Sequence, residues 1–229
     1  RQRQMCIRDR GKGGSPILLF IHGGYWKAFD KNMFQFIAER FVEKGACVVL
    51  NNYDLCPTVT MSEIISQNRS ALKWIYQNAK KIGGDPGRIH VTGHSAGGHL
   101  ALLMAAVSDR KPWLTIAQAP IADLVAADHA RLSDSGDAVR KWIGTIPEED
   151  KETWSKLNPI DNPPNSSVLI MHGKKDVDVP WTQSETYVRS MMAKGIAVQK
   201  IWLPGDHYSI IDVASDDWLT QSDEIRDWL

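Results

Sequence analysis

Little in this sequence points toward a membrane, a nucleic acid or an oxidising compartment. No apolar run approaches the roughly 20 residues that a helix needs to cross a bilayer. The 27 basic and 27 acidic residues cancel, so no global field recommends nucleic acid or an anionic lipid surface as a partner. Cysteine is scarce: Cys6, Cys47 and Cys56 are too few, and an odd number, for a disulfide framework. Reduced thiols in a cytoplasmic protein are expected. The histidines, cysteines and carboxylates fall into no clear metal-ligand spacing, and Gly-x-Gly-x-x-Gly is missing. Neither a metal nor a nucleotide cofactor is therefore expected. The remaining bound is size, since 229 residues suit one domain with a sizeable core.

Residues 1–10 are polar and basic and lack both strand and helix period. They resemble an adapter translation found at the ends of environmental reading frames and are read as a non-native leader, without the apolar stretch of a signal peptide. From residue 11 to 229 a single domain is expected. Residues 17–21 form a continuous apolar run ending at His22-Gly23-Gly24, the pattern of a parallel strand buried on both faces. Asp30 can cap a helix with Met33, Phe34, Ile37 and Phe41 on one face and Gly45 as its stop. Residues 47–50 form the next buried strand. Thr60 and Glu63 make a capping box for a helix that turns Ile64, Ile65, Leu72, Ile75 and Ala79 inward and stops at Gly83.

The alternation continues with strands at 88–92, 114–118, 168–171 and 198–203 and helices at 100–107 and 183–194. Residues 123–164 interrupt it, with short amphipathic pieces near 138–143 and 148–154, and read as a cap-like insertion over the sheet's carboxyl edge. Strands alternating with helices of this length imply an α/β fold with a mostly parallel central sheet and helices on both faces. Sites in such sheets lie beyond the carboxyl ends of the strands.

Four chemically loaded segments follow predicted strands, and so converge at that edge. Gly93-His94-Ser95-Ala96-Gly97 is a Gly-x-Ser-x-Gly pentapeptide between a strand and a helix, where a nucleophile elbow must sit. Its small neighbours permit the sharp turn, and the Ala96 N–H is free to donate to an oxyanion. A serine hydroxyl needs an imidazole to take its proton, and that imidazole needs an acceptor to hold its tautomer. His207, in the turn Pro204-Gly205-Asp206-His207-Tyr208, is the candidate base. Asp176 is the candidate acid, with Asp178 as its alternative and Asp123 a more distant one. Gly23 and Gly24 supply the second oxyanion donor, and Tyr25, Trp26 and Tyr208 are candidate substrate contacts. Each glycine pair taken alone is as easily a plain turn, and the other tryptophans read as packing. The conjunction of four segments, in the order serine, acid, histidine, is what chance rarely supplies.

These segments together resemble the α/β-hydrolases. His172-Gly173-Lys174-Lys175-Asp176 is similar to the acid loop of hydrolases and prolyl-oligopeptidase-like enzymes, and His22-Gly23-Gly24 to the oxyanion loop of esterases and lipases. The arylformamidase (kynurenine formamidase) group is the nearest likeness, through His22-Gly23-Gly24-Tyr25-Trp26-Lys27, Asn52-Tyr53-Asp54-Leu55-Cys56-Pro57, Gly83-Gly84-Asp85-Pro86 and His207-Tyr208-Ser209-Ile210-Ile211. Residues 121–164 and the Asp176 loop look more like general carboxylesterases. The resemblance implies a serine hydrolase taking a small-molecule formamide or ester as its substrate. It also implies that the strand ending in His-Gly-Gly is normally the third, after an antiparallel pair for which sixteen residues leave no room. The chain is accordingly expected to lack the first two strands, leaving residues 47–50 near an open sheet edge, with lower stability or homodimer formation through it.

Overall fold

The computed structural model describes residues 5–8, 13–133 and 136–229, with side chains from residue 13 onward. Of the expected leader, residues 1–4, 9 and 10 lie outside the described residues, as do residues 134 and 135 of the expected insertion. The strands are β1 (Met5–Arg8), β2 (Ser15–Ile21), β3 (Cys47–Asn51), β4 (Gly84–His94), β5 (Leu114–Gln118), β6 (Ser167–Gly173) and β7 (Gln199–Leu203). Between and after them come α1 (Phe36–Glu43), α2 (Met61–Asn78), α3 (Ala96–Val107), α4 (Leu124–His129), α5 (Ala138–Ile143), α6 (Lys151–Leu157), α7 (Thr182–Ala193) and α8 (Asp216–Trp228).

The strands join one sheet in the order β1-β3-β2-β4-β5-β6-β7. From β2 to β7 every pairing is parallel, and β1 alone is antiparallel, along β3. After β2 the chain goes to one side to form β3 and returns to the other to form β4. The carboxyl ends of β2 and β4 thus flank the switch point where a parallel sheet opens a crevice. They are also in register, with Ile21 opposite Gly93. This brings the His22-Gly23-Gly24 loop to the elbow.

Alternate side chains of each strand enter opposite faces. Ile17, Leu19, Ile21, Val49 and Val91 pack with α2 and α3, and Val168 and Ile170 with α7. Leu18, Phe20, Val48, Leu50, Leu114 and Ile116 pack with α1 and α8 on the other face. Every residue from Ala96 to Ala105 in α3 is buried, which explains why that helix reads as a nearly continuous apolar run rather than an amphipathic one. The helices of the inserted segment are tied down locally. Arg140 of α5 grips the buried Asp128 of α4 through two bonds, at 2.9 and 2.7 Å, and Asp123 caps α4.

Three expectations need correction. Residues 5–8, read as part of a leader without strand period, form β1, which pairs along the edge of β3 that was expected to be open. An edge strand needs only backbone pairing, which leaves little trace in side-chain pattern. The helix expected from Asp30 is divided: Asp30 caps a 3-10 turn at Lys31–Phe34 and α1 begins at Phe36. The helix α8 was not anticipated, because its buried face carries Asp217, Gln221 and Ser222 beside Trp218 and Ile225. The capping box is present as expected, Glu63 N–H donating to Thr60 Oγ1 at 3.2 Å and Thr60 N–H to Glu63 Oε2 at 2.7 Å. Among the described residues no helix is long and apolar enough to cross a membrane.

The central strands should carry the largest packing energies. Leu19 is wholly buried in the middle of β2, so Leu19→Ala is expected to cost about 2–5 kcal/mol and lower the melting temperature by roughly 5–15 °C. Met33→Ala, at a residue 55% exposed, is expected to stay within about 0.5 kcal/mol. Thermal melts of the two variants check this, and equal melting temperatures would contradict the assigned core.

Candidate active site

β4 ends at His94 and α3 begins at Ala96, so Ser95 alone reverses the chain. Its backbone sits at φ 59° and ψ −120°, a sparsely populated region that costs of order 1–3 kcal/mol for a residue with a side chain. The turn survives because its neighbours have none. A Cβ on Gly97 would stand 2.0 Å from the Ile21 carbonyl oxygen, and one on Gly93 2.3 Å from that of Gly97. Ser95 N–H donates to the Gln118 carbonyl at 2.9 Å. Ala96 is the first residue of α3, so its N–H belongs to the donors that a helix N-terminus leaves unpaired.

The glycine loop lies directly against this turn. A Cβ on Gly23 would meet His94 O at 2.8 Å and the Ser95 Cβ at 3.1 Å. Gly24, Tyr25 and Trp26 all have positive φ, of 104°, 48° and 57°, and the Gly24 carbonyl accepts from the N–H groups of Lys27 and Ala28, both at 3.0 Å. Trp26 is fully buried, its indole N–H donating to His99 Nδ1 at 3.3 Å. The substrate contact expected of Trp26 is therefore corrected: the side chain packs behind the loop and shapes it from below. Tyr25 is half-buried and donates its hydroxyl to the Asp178 carbonyl at 3.2 Å. Tyr208 is 60% exposed and stands edge-on to the His207 ring.

Gly173 at the end of β6 pairs with Leu203 at the end of β7, which puts the Asp176 loop beside the turn carrying His207. His207 Nδ1 lies 2.6 Å from Asp176 Oδ2, with both residues buried. Asp176 Oδ1 accepts from the N–H groups of Asp178 and Val179, at 3.0 and 2.8 Å. The alternatives thus separate: Asp178 contributes a backbone N–H to this arrangement, and Asp123 is occupied as a helix cap. Burial opposes ionisation of Asp176, but hydrogen bonds from His172, His207 and the Val179 N–H, with the charge on His207, together hold its carboxyl well below the usual carboxylate range.

Among the described residues no hydrogen bond joins the Ser95 hydroxyl to the His207 ring. The two segments are held together through His94, whose Nε2–H donates to the His207 carbonyl at 2.8 Å and whose ring centre lies 4.5 Å from that of His207. Long or incomplete contacts of this kind are common without substrate and tighten in its complex. His94, His99 and His172 were given no role from the sequence, and each touches a site segment. Only their place beside glycines and small residues after strands could have flagged them. Among the described residues no group of three or more histidines, cysteines and carboxylates could hold a metal ion.

Comparison with known proteins adds family and fold. The BD-FAE family model matches residues 5–191. The chain is 27% identical over 217 residues to a kynurenine formamidase of Salmo salar, covering 90% of this chain and 71% of that protein. It is 30% identical over 213 residues to the esterase LipQ of Mycobacterium tuberculosis, covering 85% of this chain and only 50% of LipQ. Among solved structures, esterase B from Lactobacillus rhamnosis superimposes with a TM-score of 0.84 at 19% identity, over 98% of this chain and 80% of that one. A thermophilic esterase from Thermogutta terrifontis gives 0.77 at 21% identity, over 97% and 86%.

The buried histidines make stability sensitive to acid. Burial pulls both His90 and His99 down to about 4, and also lowers His22 and His94. Between pH 4 and the ordinary value of about 6.5, the unfolded chain binds protons that the folded one refuses. Stability is therefore complete above about pH 6.5 and lost as pH falls, by on the order of 2 kcal/mol at pH 5 for each of His90 and His99. Melting curves at pH 8 and pH 5 should differ by roughly 8–16 °C, and a flat profile across that range would contradict the neutral burial of these rings.

Proposed function

We propose that this chain, which belongs to the BD-FAE family and has the α/β-hydrolase fold, is a serine hydrolase that cleaves small formamides or carboxylic esters through an acyl-enzyme. The single observation that carries the reading is the 2.6 Å contact between Asp176 Oδ2 and His207 Nδ1 next to a serine strained at φ 59°. In this reading Ser95 Oγ attacks the substrate carbonyl while His207 Nε2 takes its proton, and Asp176 holds the Nδ1–H tautomer and stabilises the imidazolium. The N–H of Ala96, at the positive end of α3, and those of Gly23 and Gly24 receive the oxyanion. The C–N or C–O bond then breaks, with His207 giving its proton to the departing amine or alcohol. Water, deprotonated by the same imidazole, attacks the acyl-serine and releases the acid and a free Ser95 hydroxyl.

The substrate we favour is an N-formyl arylamine of the N-formylkynurenine kind, which would yield kynurenine and formate. An aryl amine is weakly basic and leaves more readily than an alkyl amine, so esterase machinery suffices without a metal. The likeness to a kynurenine formamidase over most of both chains supports this choice. A second reading, a generalist carboxylesterase, is favoured by the likeness to LipQ and by the half-exposed apolar residues Phe29 and Met33 beyond the Gly24 turn. The free, buried thiol of Cys56 suits work in the cytoplasm.

A fluorophosphonate is expected to label Ser95 in the wild type, and Ser95→Ala is expected to lose both the label and about 10³-fold or more of kcat/KM. Retained turnover in Ser95→Ala would remove the serine mechanism. A panel of N-formylkynurenine against short p-nitrophenyl esters separates the two substrate readings. Good ester cleavage with negligible formamide cleavage would leave the carboxylesterase standing and the formamidase rejected.

A further inference from the structure

Asp176 Oδ2 has two imidazole neighbours. Besides His207 Nδ1, His172 Nε2 lies 3.1 Å from the same oxygen, and nothing in the mechanism above uses it. His172 stands near the end of β6 and is wholly buried. Its Nε2 faces two acceptors at once, Asp176 Oδ2 and the Val179 carbonyl oxygen at 2.8 Å, so the ring carries its proton there. Its Nδ1 lies 2.7 Å from the buried Ser184 hydroxyl of α7, which can meet it as donor or acceptor. A hydrogen-bonded series therefore runs from α7 through β6 to the turn after β7: Ser184 to His172, His172 to Asp176, and His207 to the same Asp176 oxygen.

We infer that His172 is a positioning residue for the Asp176–His207 pair. On the serine-hydrolase reading, on which this inference rests, its Nε2–H holds the Asp176 carboxylate in one orientation and takes up part of its charge. An oxygen that accepts from two N–H groups offers each less than it would offer one alone, so His207 meets an acceptor of fixed direction and moderated strength. Ser184 holds the ring from its other nitrogen. The other groups facing the pair are few. His94 lies tilted against His207 from the end of β4 and Tyr208 stands edge-on to it. Asp206 accepts from the N–H groups of Tyr208 and Ser209 in its own turn, and Lys174 directs its ammonium onto the Trp181 ring at 3.8 Å.

A plain structural strap, holding the loop of residues 173–180 through Val179 alone, would act differently. It would lower kcat without moving its pH dependence. The test is the pH profile of p-nitrophenyl acetate hydrolysis for wild type, His172→Leu and His172→Gln, with fluorophosphonate labelling of Ser95 in each. In His172→Leu the undivided Asp176 charge falls on His207, so the acidic limb of kcat/KM is expected to move up by roughly 0.5–1 pH unit. In the same variant kcat should fall about tenfold, with KM within about twofold. His172→Gln, which keeps an N–H donor, should return the limb toward wild type. An unmoved limb in a labelled His172→Leu enzyme overturns the positioning role and leaves the hydrolase reading intact, whereas failure of the wild type to label at Ser95 removes the reading itself. If His172→Leu does not fold, ¹⁵N–¹H correlation on the wild type at pH 8 decides: a proton on His172 Nε2 is expected, and a bare Nε2 overturns the inference.

Discussion

The approach of two backbones at the ends of β2 and β4 is the constraint from which the rest follows. Gly97 comes so near the Ile21 and His22 carbonyls, and Gly93 so near Gly97, that no Cβ can be inserted at either place. This contact is steric and not negotiable by side-chain movement, since the opposing atoms are main chain. It forces the reversal of direction into the one residue between strand and helix, and Ser95 absorbs it. It also seats Gly23 against the Ser95 Cβ, so the segment with the hydroxyl and the segment with the glycine amides are positioned by a single set of contacts. Packing elsewhere in α3 and β2 holds this strain in place.

Around that contact, burial decides the chemical state of the polar groups. The histidines of the site region are enclosed and hydrogen-bonded: burial favours the neutral ring in His94, which meets the His207 carbonyl, and in His99, which meets the Trp26 indole and the Leu157 carbonyl, while His172 meets Ser184, Asp176 and Val179. A neutral imidazole can donate at one nitrogen and accept at the other, so these rings join segments that a carboxylate or an ammonium could join only at the expense of desolvating a charge. Asp176 is the exception. It is ionised inside the protein because four N–H groups converge on its two oxygens.

The strands from β2 to β6 were legible in the sequence because a strand covered on both faces needs an unbroken apolar run, and a run bounded by glycine or polar turns is conspicuous. The elbow, the Asp176 loop and His207 were legible for a different reason: chemistry at the carboxyl edge demands particular residue types just after strands. What escaped reading had no such demand behind it. β1 is held by backbone pairing, and α8 buries polar side chains on its inner face. Trp26 sits among loop residues that look like substrate contacts, yet its indole is turned inward to His99, an orientation that depends on the positive φ of three successive residues and cannot be read from their identities. Asp176 and Asp178 are two residues apart, and only the register of Gly173 with Leu203 decides which one reaches His207.

The order of the strands has a further consequence for how the chain is made. Gly23 and Ser95 meet at the middle of the sheet, whereas Asp176 and His207 arrive on its last two strands. A chain emerging from the ribosome makes the elbow, with His94 in it, well before Asp176 and His207. On the serine mechanism proposed above, the strained turn is thus made before the acid and the base that would serve it, and the last two strands of the sheet complete the set.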